Sequence, residues 1–330
     1  MGTASAASRV TAFAPATVSN VACGFDVLGF ALAEPGDRVT ARWSEATASD
    51  RAVEIDAIDD DGGRLPRDAM KNTAGVAAAA LLRVLGERRR VVLSIRKGLP
   101  LSSGLGGSAA SAVAAVVAVD ALAGANTPID TLLACAFEGE RDAAGSAHAD
   151  NIAPGLYGGF VLVRSAVPPD IVRLPVPEGL TAVVVHPPLE IETARARALL
   201  GDTVAIGDAV RQSANLGALV DALHRGDFAL LSRSLDDAIA EPRRAPLVPG
   251  LAAIKQAAVA AGALGCSLSG SGPSLFALCD SRAAADRVAA AMTRAVVDHI
   301  GGQPETYVSA IARQGARILA AGRAGRAVQV

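Results

Sequence analysis

The stretch Gly98-Leu99-Pro100-Leu101-Ser102-Ser103-Gly104-Leu105-Gly106-Gly107-Ser108-Ala109-Ala110-Ser111 crowds glycine and serine between two apolar segments. Residues 90–95 before it read as a strand and residues 109–123 after it as an alanine-rich helix, so the loop feeds a helix N-terminus. Such a junction attracts anions. Glycines let the backbone approach a ligand closely, and the unpaired N–H groups and positive dipole end of the first helical turn favour phosphate or carboxylate.

Other readings of the loop compete with that one. A Walker A loop closes on Gly-Lys-Ser/Thr, and Gly107-Ser108-Ala109 has no lysine. Residues 104–109 fit the dinucleotide fingerprint in its G-x-G-x-x-A form, but that fingerprint also needs a second strand ending in an acidic residue about twenty positions on. More helix follows instead, with 129–137 amphipathic. A flexible strand-to-helix connection is the plain alternative.

Composition narrows the classes. A chain of 330 residues, 51% hydrophobic, can bury one large domain or two ordinary ones. With 31 basic against 33 acidic residues, and no basic run beyond Glu87-Arg88-Arg89-Arg90, no nucleic-acid partner is expected. Cys23, Cys135, Cys266 and Cys279 form no C-x-x-C pair and no H-E-x-x-H occurs, which argues against zinc. Scattered free thiols suit a cytoplasmic protein. Met1-Gly2-Thr3-Ala4-Ser5-Ala6 shows neither a signal core nor a myristoylation site. No membrane span is expected, because 109–123 carries Ser111 and Asp120 and falls short of about 18 apolar residues.

Strands and helices alternate, as in α/β or α+β layers. Strands are expected at 9–13, 39–43 and 53–55, and a helix at 73–85 closed by Gly86. A proline cluster follows the apolar run 160–163, at Val167-Pro168-Pro169 and Leu174-Pro175-Val176-Pro177. It suggests a division into domains 1–167 and 168–330. Beyond it come a strand at 182–185, helices at 193–200, 206–223 and 251–261, and strands at 263–268 and 275–279 flanking Ser269-Gly270-Ser271-Gly272-Pro273-Ser274, a hairpin turn by itself. A third polar segment, 14–29, places Asn20 and Asp26 in a run of small apolar residues.

In this order the three segments resemble the GHMP kinases, over nearly the whole chain. The resemblance implies a two-domain α/β-layered fold with the nucleotide between the domains. It implies that Pro100, Leu101, Ser102, Ser103, Gly104, Leu105, Gly106, Gly107, Ser108, Ala109 and Ala110 wrap the triphosphate of ATP. The family's usual central pattern is P-x-x-x-G-L-G-S-S-A, and Gly107 stands here for its first serine. Mg2+ would be held by the positions that match the family's metal ligands, Ser108 and Glu140.

Residues 145–154 with Gly158-Gly159, then 192–197, 240–244 and 265–278, resemble the branch of the family that phosphorylates the side-chain hydroxyl of L-homoserine, in threonine biosynthesis. That likeness gives Asp26 the substrate ammonium and sets Arg197 and Arg244 around the carboxylate and the moving phosphoryl group. It leaves Asn20, His148 and Asn151 to fix the hydroxyl. Relatives acting on mevalonate carry an aspartate base where Asn151 stands. Asp150, taken as part of an extended loop, is expected to point away, so Asn151 and Arg197 carry the catalysis without a strong base. The family often dimerises, so a homodimer is the implied assembly. A family member for another small alcohol, or a sensor without turnover, are the rival readings.

Overall fold

The computed structural model describes residues 8–44, 52–144 and 148–322. Residues 1–6 and the Gly145-Ser146-Ala147 part of the motif before His148 lie outside them. In chain order the elements are β1 (Arg9–Ser19), β2 (Leu28–Trp43), β3 (Val53–Asp59), α1 (Thr73–Leu85), β4 (Val91–Arg96), α2 (Gly107–Ala123), α3 (Ile129–Ala144) and α4 (Ala149–Tyr157). There follow β5 (Phe160–Ala166), β6 (Pro169–Leu174), β7 (Thr181–His186), α5 (Thr193–Ala198), α6 (Ile206–Arg225), α7 (Phe228–Ser234) and α8 (Ala240–Arg244). The chain continues with α9 (Leu251–Ala260), β8 (Gly265–Leu268), β9 (Leu275–Cys279), α10 (Arg282–His299), β10 (Glu305–Ala310) and β11 (Arg317–Gly322).

Two sheets organise these elements. The larger has seven strands in the order β11-β1-β2-β4-β3, with β5 pairing both β2 and β6; the smaller runs β10-β7-β9-β8. Helix α2 packs on β1, β2, α1 and α3. Its many alanines let neighbours approach closely, and a helix apolar all round belongs in a core. The smaller sheet is covered on both faces, which explains the unbroken apolar run of β7. Ala182 and Val184 face the core of the larger sheet, whereas Val183 and Val185 face a second core shared with α9 and α10. Phe30 of β2 meets Phe160 of β5 at 4.9 Å and Phe276 of β9 at 5.8 Å between ring centroids, so aromatic contacts tie the two sheets together.

The structure departs from the sequence reading in three places that shape the site. Strand β1 runs to Ser19, beyond the expected end at 13, and β2 starts at Leu28, so segment 14–29 is two strand ends joined by a turn over 20–27. The pairing Thr17↔Ala31 to Ser19↔Gly29 satisfies backbone that the sequence reading left open. Residues 149–157 are a helix, not an extended loop; Pro154, inside it, needs no partner for a missing N–H, which leaves the Asp150 carbonyl free to sit against Gly29. Finally, the cut at 167/168 falls in the β5–β6 turn within the larger sheet. The chain passes to the smaller sheet between Leu174 and Thr181, still inside the proline cluster, and β11 returns to the larger one. Among the described residues no helix is long and apolar enough to cross a membrane, and all four cysteines are buried and unbridged.

Candidate active site

A cavity of about 530 Å³ opens between the glycine loop, the β1–β2 turn, α3, α4, α5 and α8. On its loop side, Gly106 is the N-cap of α2 in the left-handed region (φ 65°) and no side chain caps the helix. The first-turn N–H groups are therefore left to an anion. Two glycines are demanded by contact. A Cβ on Gly104 (φ 77°) would lie 2.5 Å from the Ser269 carbonyl oxygen, and one on Gly106 2.2 Å from Thr17 Oγ1 and 2.8 Å from Asn151 Oδ1.

The hairpin between β8 and β9 buttresses this loop. Ser269 Oγ donates to the Gly104 carbonyl at 2.7 Å, the Ser274 N–H to the Ser103 carbonyl at 3.2 Å and the Gly270 N–H to the Ser19 carbonyl at 3.1 Å. Three residues of the expected phosphate segment do not line the cavity. The side chains of Leu105, Ala109 and Ala110 are buried in the core, and the Leu105 carbonyl accepts the Thr17 N–H.

Glu140 lies in the C-terminal part of α3 and is only 3% exposed. Its helix is drawn in at Gly139, where a Cβ would lie 2.6 Å from the Thr73 carbonyl oxygen. Glu140 Oε2 accepts the Ser108 hydroxyl at 3.1 Å, while Oε1 is buried with no partner among the described residues. Burial pushes this carboxyl up to about 7, against the Ser108 hydrogen bond and the charge of Lys97. An orphaned carboxylate oxygen beside a hydroxyl on a cavity wall is the oxygen donor set a small divalent cation accepts. Among the described residues no three His, Cys, Asp or Glu side chains form a metal cluster, so such an ion would need further oxygens from its ligand.

Beneath the loop lies a polar group that sequence reasoning missed. Lys97 and Asp37 are buried and ion-paired; Lys97 Nζ donates to the Gly107 carbonyl at 2.8 Å and to Ser111 Oγ at 3.0 Å, and Asp37 accepts the Ser111 hydroxyl at 2.6 Å and the Gly98 N–H at 2.9 Å. Sixty residues separate the partners, so no local pattern announces the pair. The cavity also extends over Leu65, Pro66, Asn72 and Ile95, apolar and amide groups that the sequence reading did not include.

At the other end the walls are charged. Asn20, Asp26, His148, Asn151, Arg197 and Arg244 all line the cavity. The β1–β2 turn is built on left-handed residues, Asn20 at φ 55° and Asp26 at φ 58°. Asn20 stabilises that conformation: Oδ1 accepts the Asp26 N–H at 2.8 Å and Nδ2 donates to the Gly270 carbonyl at 3.0 Å. One donor and one lone pair remain for a ligand. Arg197 NH1 donates to Asp26 Oδ2 at 2.5 Å, half exposed.

Arg244 is 4% exposed and donates to the Gly270 carbonyl at 3.0 Å. Burial lowers its guanidinium pKa, against the pull of Asp26. Burial likewise lowers the His148 pKa, so its imidazole is neutral near pH 7. The Asn151 Oδ1 accepts the Thr17 hydroxyl at 2.9 Å. Asp150 does not line the cavity; its buried carboxylate accepts the Asn20 N–H at 3.2 Å, and burial, then Asp26, push it up to about 7.

A two-sheet fold, an uncapped glycine loop and a cavity running from that loop to a charged wall define a GHMP kinase. Family models described as the GHMP kinases N terminal domain and the GHMP kinases C terminal match residues 72–159 and 219–298. The chain is 48% identical over 317 residues to the homoserine kinase of Chlorobium phaeovibrioides, covering 94% of this chain and 99% of that one. It is 44% identical over 309 residues to that of Xanthomonas campestris, with 94% of each covered. The crystal structure of homoserine kinase from Cytophaga hutchinsonii superposes with a TM-score of 0.92 at 47% identity, over 97% of this chain and all of that one. The chain belongs to the homoserine kinases of the GHMP kinase family.

Proposed function

We propose that this chain transfers the γ-phosphoryl group of ATP to the side-chain hydroxyl of L-homoserine, giving O-phospho-L-homoserine for threonine biosynthesis in the cytoplasm. The observation that carries this reading is the contact of Gly106 with the Thr17–Asn151 pair, which sets the end of the phosphate loop against the charged acceptor wall within one cavity. Homoserine is a zwitterion, and that wall offers one carboxylate and two guanidiniums.

Phosphoryl transfer needs alignment and charge neutralisation more than covalent help. In this reading the N–H groups of Ser103, Gly104, Gly106, Gly107 and Ser108 hold the phosphates, with Leu65, Pro66 and Asn72 toward the nucleoside. Mg2+, held by Ser108 and Glu140, would neutralise β- and γ-phosphate charge. Asp26 receives the ammonium group, which displaces Arg197 from its present ion pair and frees that guanidinium for the transferring phosphoryl; Arg244 receives the carboxylate. Asn151, its Oδ1 engaged by Thr17, offers an NH2 donor that orients the hydroxyl and takes no proton. With Asp150 turned into the core, the hydroxyl proton passes to the transferred phosphoryl oxygens.

ADP release and phosphorus NMR over a panel of small alcohols test the reading. Turnover with L-homoserine and a new phosphomonoester signal are expected. Turnover only with an alcohol lacking the α-amino acid group, or none with any, would overturn it.

A further inference from the structure

Phe25 sits one residue before Asp26, and its ring is outside the cavity lining that both arginines share. The guanidinium carbon of Arg197 lies 5.3 Å from the ring centroid and that of Arg244 5.4 Å. Both distances fall within the range of a cation–π contact, about 6 Å. The three residues come from separate elements: the β1–β2 turn, α5 and α8. Two like charges brought to one ring repel each other, and the negative ring face is an attraction they hold in common.

The arginines differ in what else anchors them. Arg244 is held by backbone, donating to the Gly270 carbonyl at 3.0 Å and the Ala196 carbonyl at 3.4 Å. Arg197 is held by the Asp26 carboxylate, the group that a ligand ammonium would claim. Once Asp26 turns to the ligand, the ring is the contact that keeps Arg197 in place. The backbone that carries the ring is held by the Asn20 Oδ1 to Asp26 N–H bond and by left-handed residues on either side.

We propose that Phe25 is a positioning residue for the acceptor, whose ring holds Arg197 and Arg244 together so that they meet the carboxylate of a zwitterionic amino-acid alcohol and the phosphoryl group it receives. This rests on the acceptor reading above. It makes the ring a determinant of preference for carboxylate-bearing acceptors, acting through the arginines without touching the substrate.

The test replaces Phe25 by site-specific incorporation of 4-fluoro-, 3,5-difluoro- and pentafluorophenylalanine, which weaken the ring's negative face at nearly constant shape. The homoserine KM is expected to rise stepwise, by about tenfold over the series, with the ATP KM and the inhibition constant of 3-amino-1-propanol unchanged. A role confined to packing leaves the homoserine KM flat, and that result would overturn the proposal, as would an equal rise in the ATP KM. Phe25→Tyr, which keeps the ring, and Phe25→Leu, which removes it, give a second reading: homoserine KM near wild type in the first and raised at least as far as in the fluorinated series in the second. If wild type fails to phosphorylate homoserine, the acceptor reading falls; if it succeeds while the series is flat, only the role of Phe25 falls.

Discussion

The two ends of the cavity are built from different materials. At the loop end the ligand-facing groups are mostly backbone N–H groups, presented by glycines where an added Cβ would lie 2.2 to 2.8 Å from its neighbours. The charged pair nearest to that loop, Lys97 and Asp37, is buried and spent on holding it. At the acceptor end, side-chain charge does the recognition: Asp26, Arg197 and Arg244 arrive from three elements and are paired, stacked on Phe25 or tied to backbone carbonyls. Backbone donors suit any polyphosphate, whereas separated charges of both signs select a particular zwitterion. Binding at the two ends should therefore be separable by mutation.

The largest effect is expected at Gly106. Valine there would need φ near 65° and would drive its Cβ into Thr17 and Asn151, so ATP binding should disappear from equilibrium titrations while circular dichroism still shows the fold. Unchanged ATP affinity in a folded Gly106→Val protein would remove this loop from the site. Next in size is Glu140→Gln, which keeps the shape and loses the charge beside Ser108. Turnover should fall roughly 100- to 1,000-fold, as for loss of one transition-state charge stabiliser. Activity near wild type would show that another carboxylate holds the metal.

Asp150→Asn should be the smallest for catalysis. The Asp150 carboxyl is at about 7 in the fold against an ordinary 3.8. Between those values the folded protein binds a proton that the unfolded chain has released, so stability falls as pH rises through the window and the loss is complete above about 7. The asparagine variant should escape that fall, gaining on the order of 2 to 4 kcal/mol over wild type at pH 8 and little at pH 4, as thermal denaturation would measure. Its turnover should stay near wild type; a loss of several orders of magnitude would make Asp150 the base after all.

The same contrast decides what the sequence discloses. The glycine loop is legible because close backbone approach requires particular residues at adjacent positions, and helix α1 is legible down to its left-handed Gly86 cap. Helix α2 begins two residues earlier than expected, since Gly107 and Ser108 join its first turn. The burial of Glu140 and Arg244 cannot be read locally: it depends on Gly139 pressing against α1 and on the hairpin carbonyl of Gly270, far away in the chain. Family resemblance, not spacing, brought those two residues into the candidate site. Phe25 and the Lys97–Asp37 pair have no such signal: a lone aromatic in an apolar run looks like any core residue, while Lys97 next to Arg96 and Asp37 next to Arg38 look like ordinary surface charges.

The separability of the two ends is tested most directly at the acceptor wall, with Asp26→Asn and Arg244→Gln assayed against L-homoserine, its deaminated analogue 4-hydroxybutyrate and its decarboxylated analogue 3-amino-1-propanol. Stranding one buried charge should cost on the order of 2 to 5 kcal/mol, roughly 30-fold to several thousand-fold in kcat/KM for homoserine. Asp26→Asn should spare 4-hydroxybutyrate and Arg244→Gln should spare 3-amino-1-propanol, read as inhibition constants where turnover is too slow, and ATP affinity should barely move in either variant. If both variants weaken all three compounds equally, or weaken ATP as much as homoserine, Asp26 and Arg244 are supports of the loop and the division between a backbone end and a charged end is contradicted.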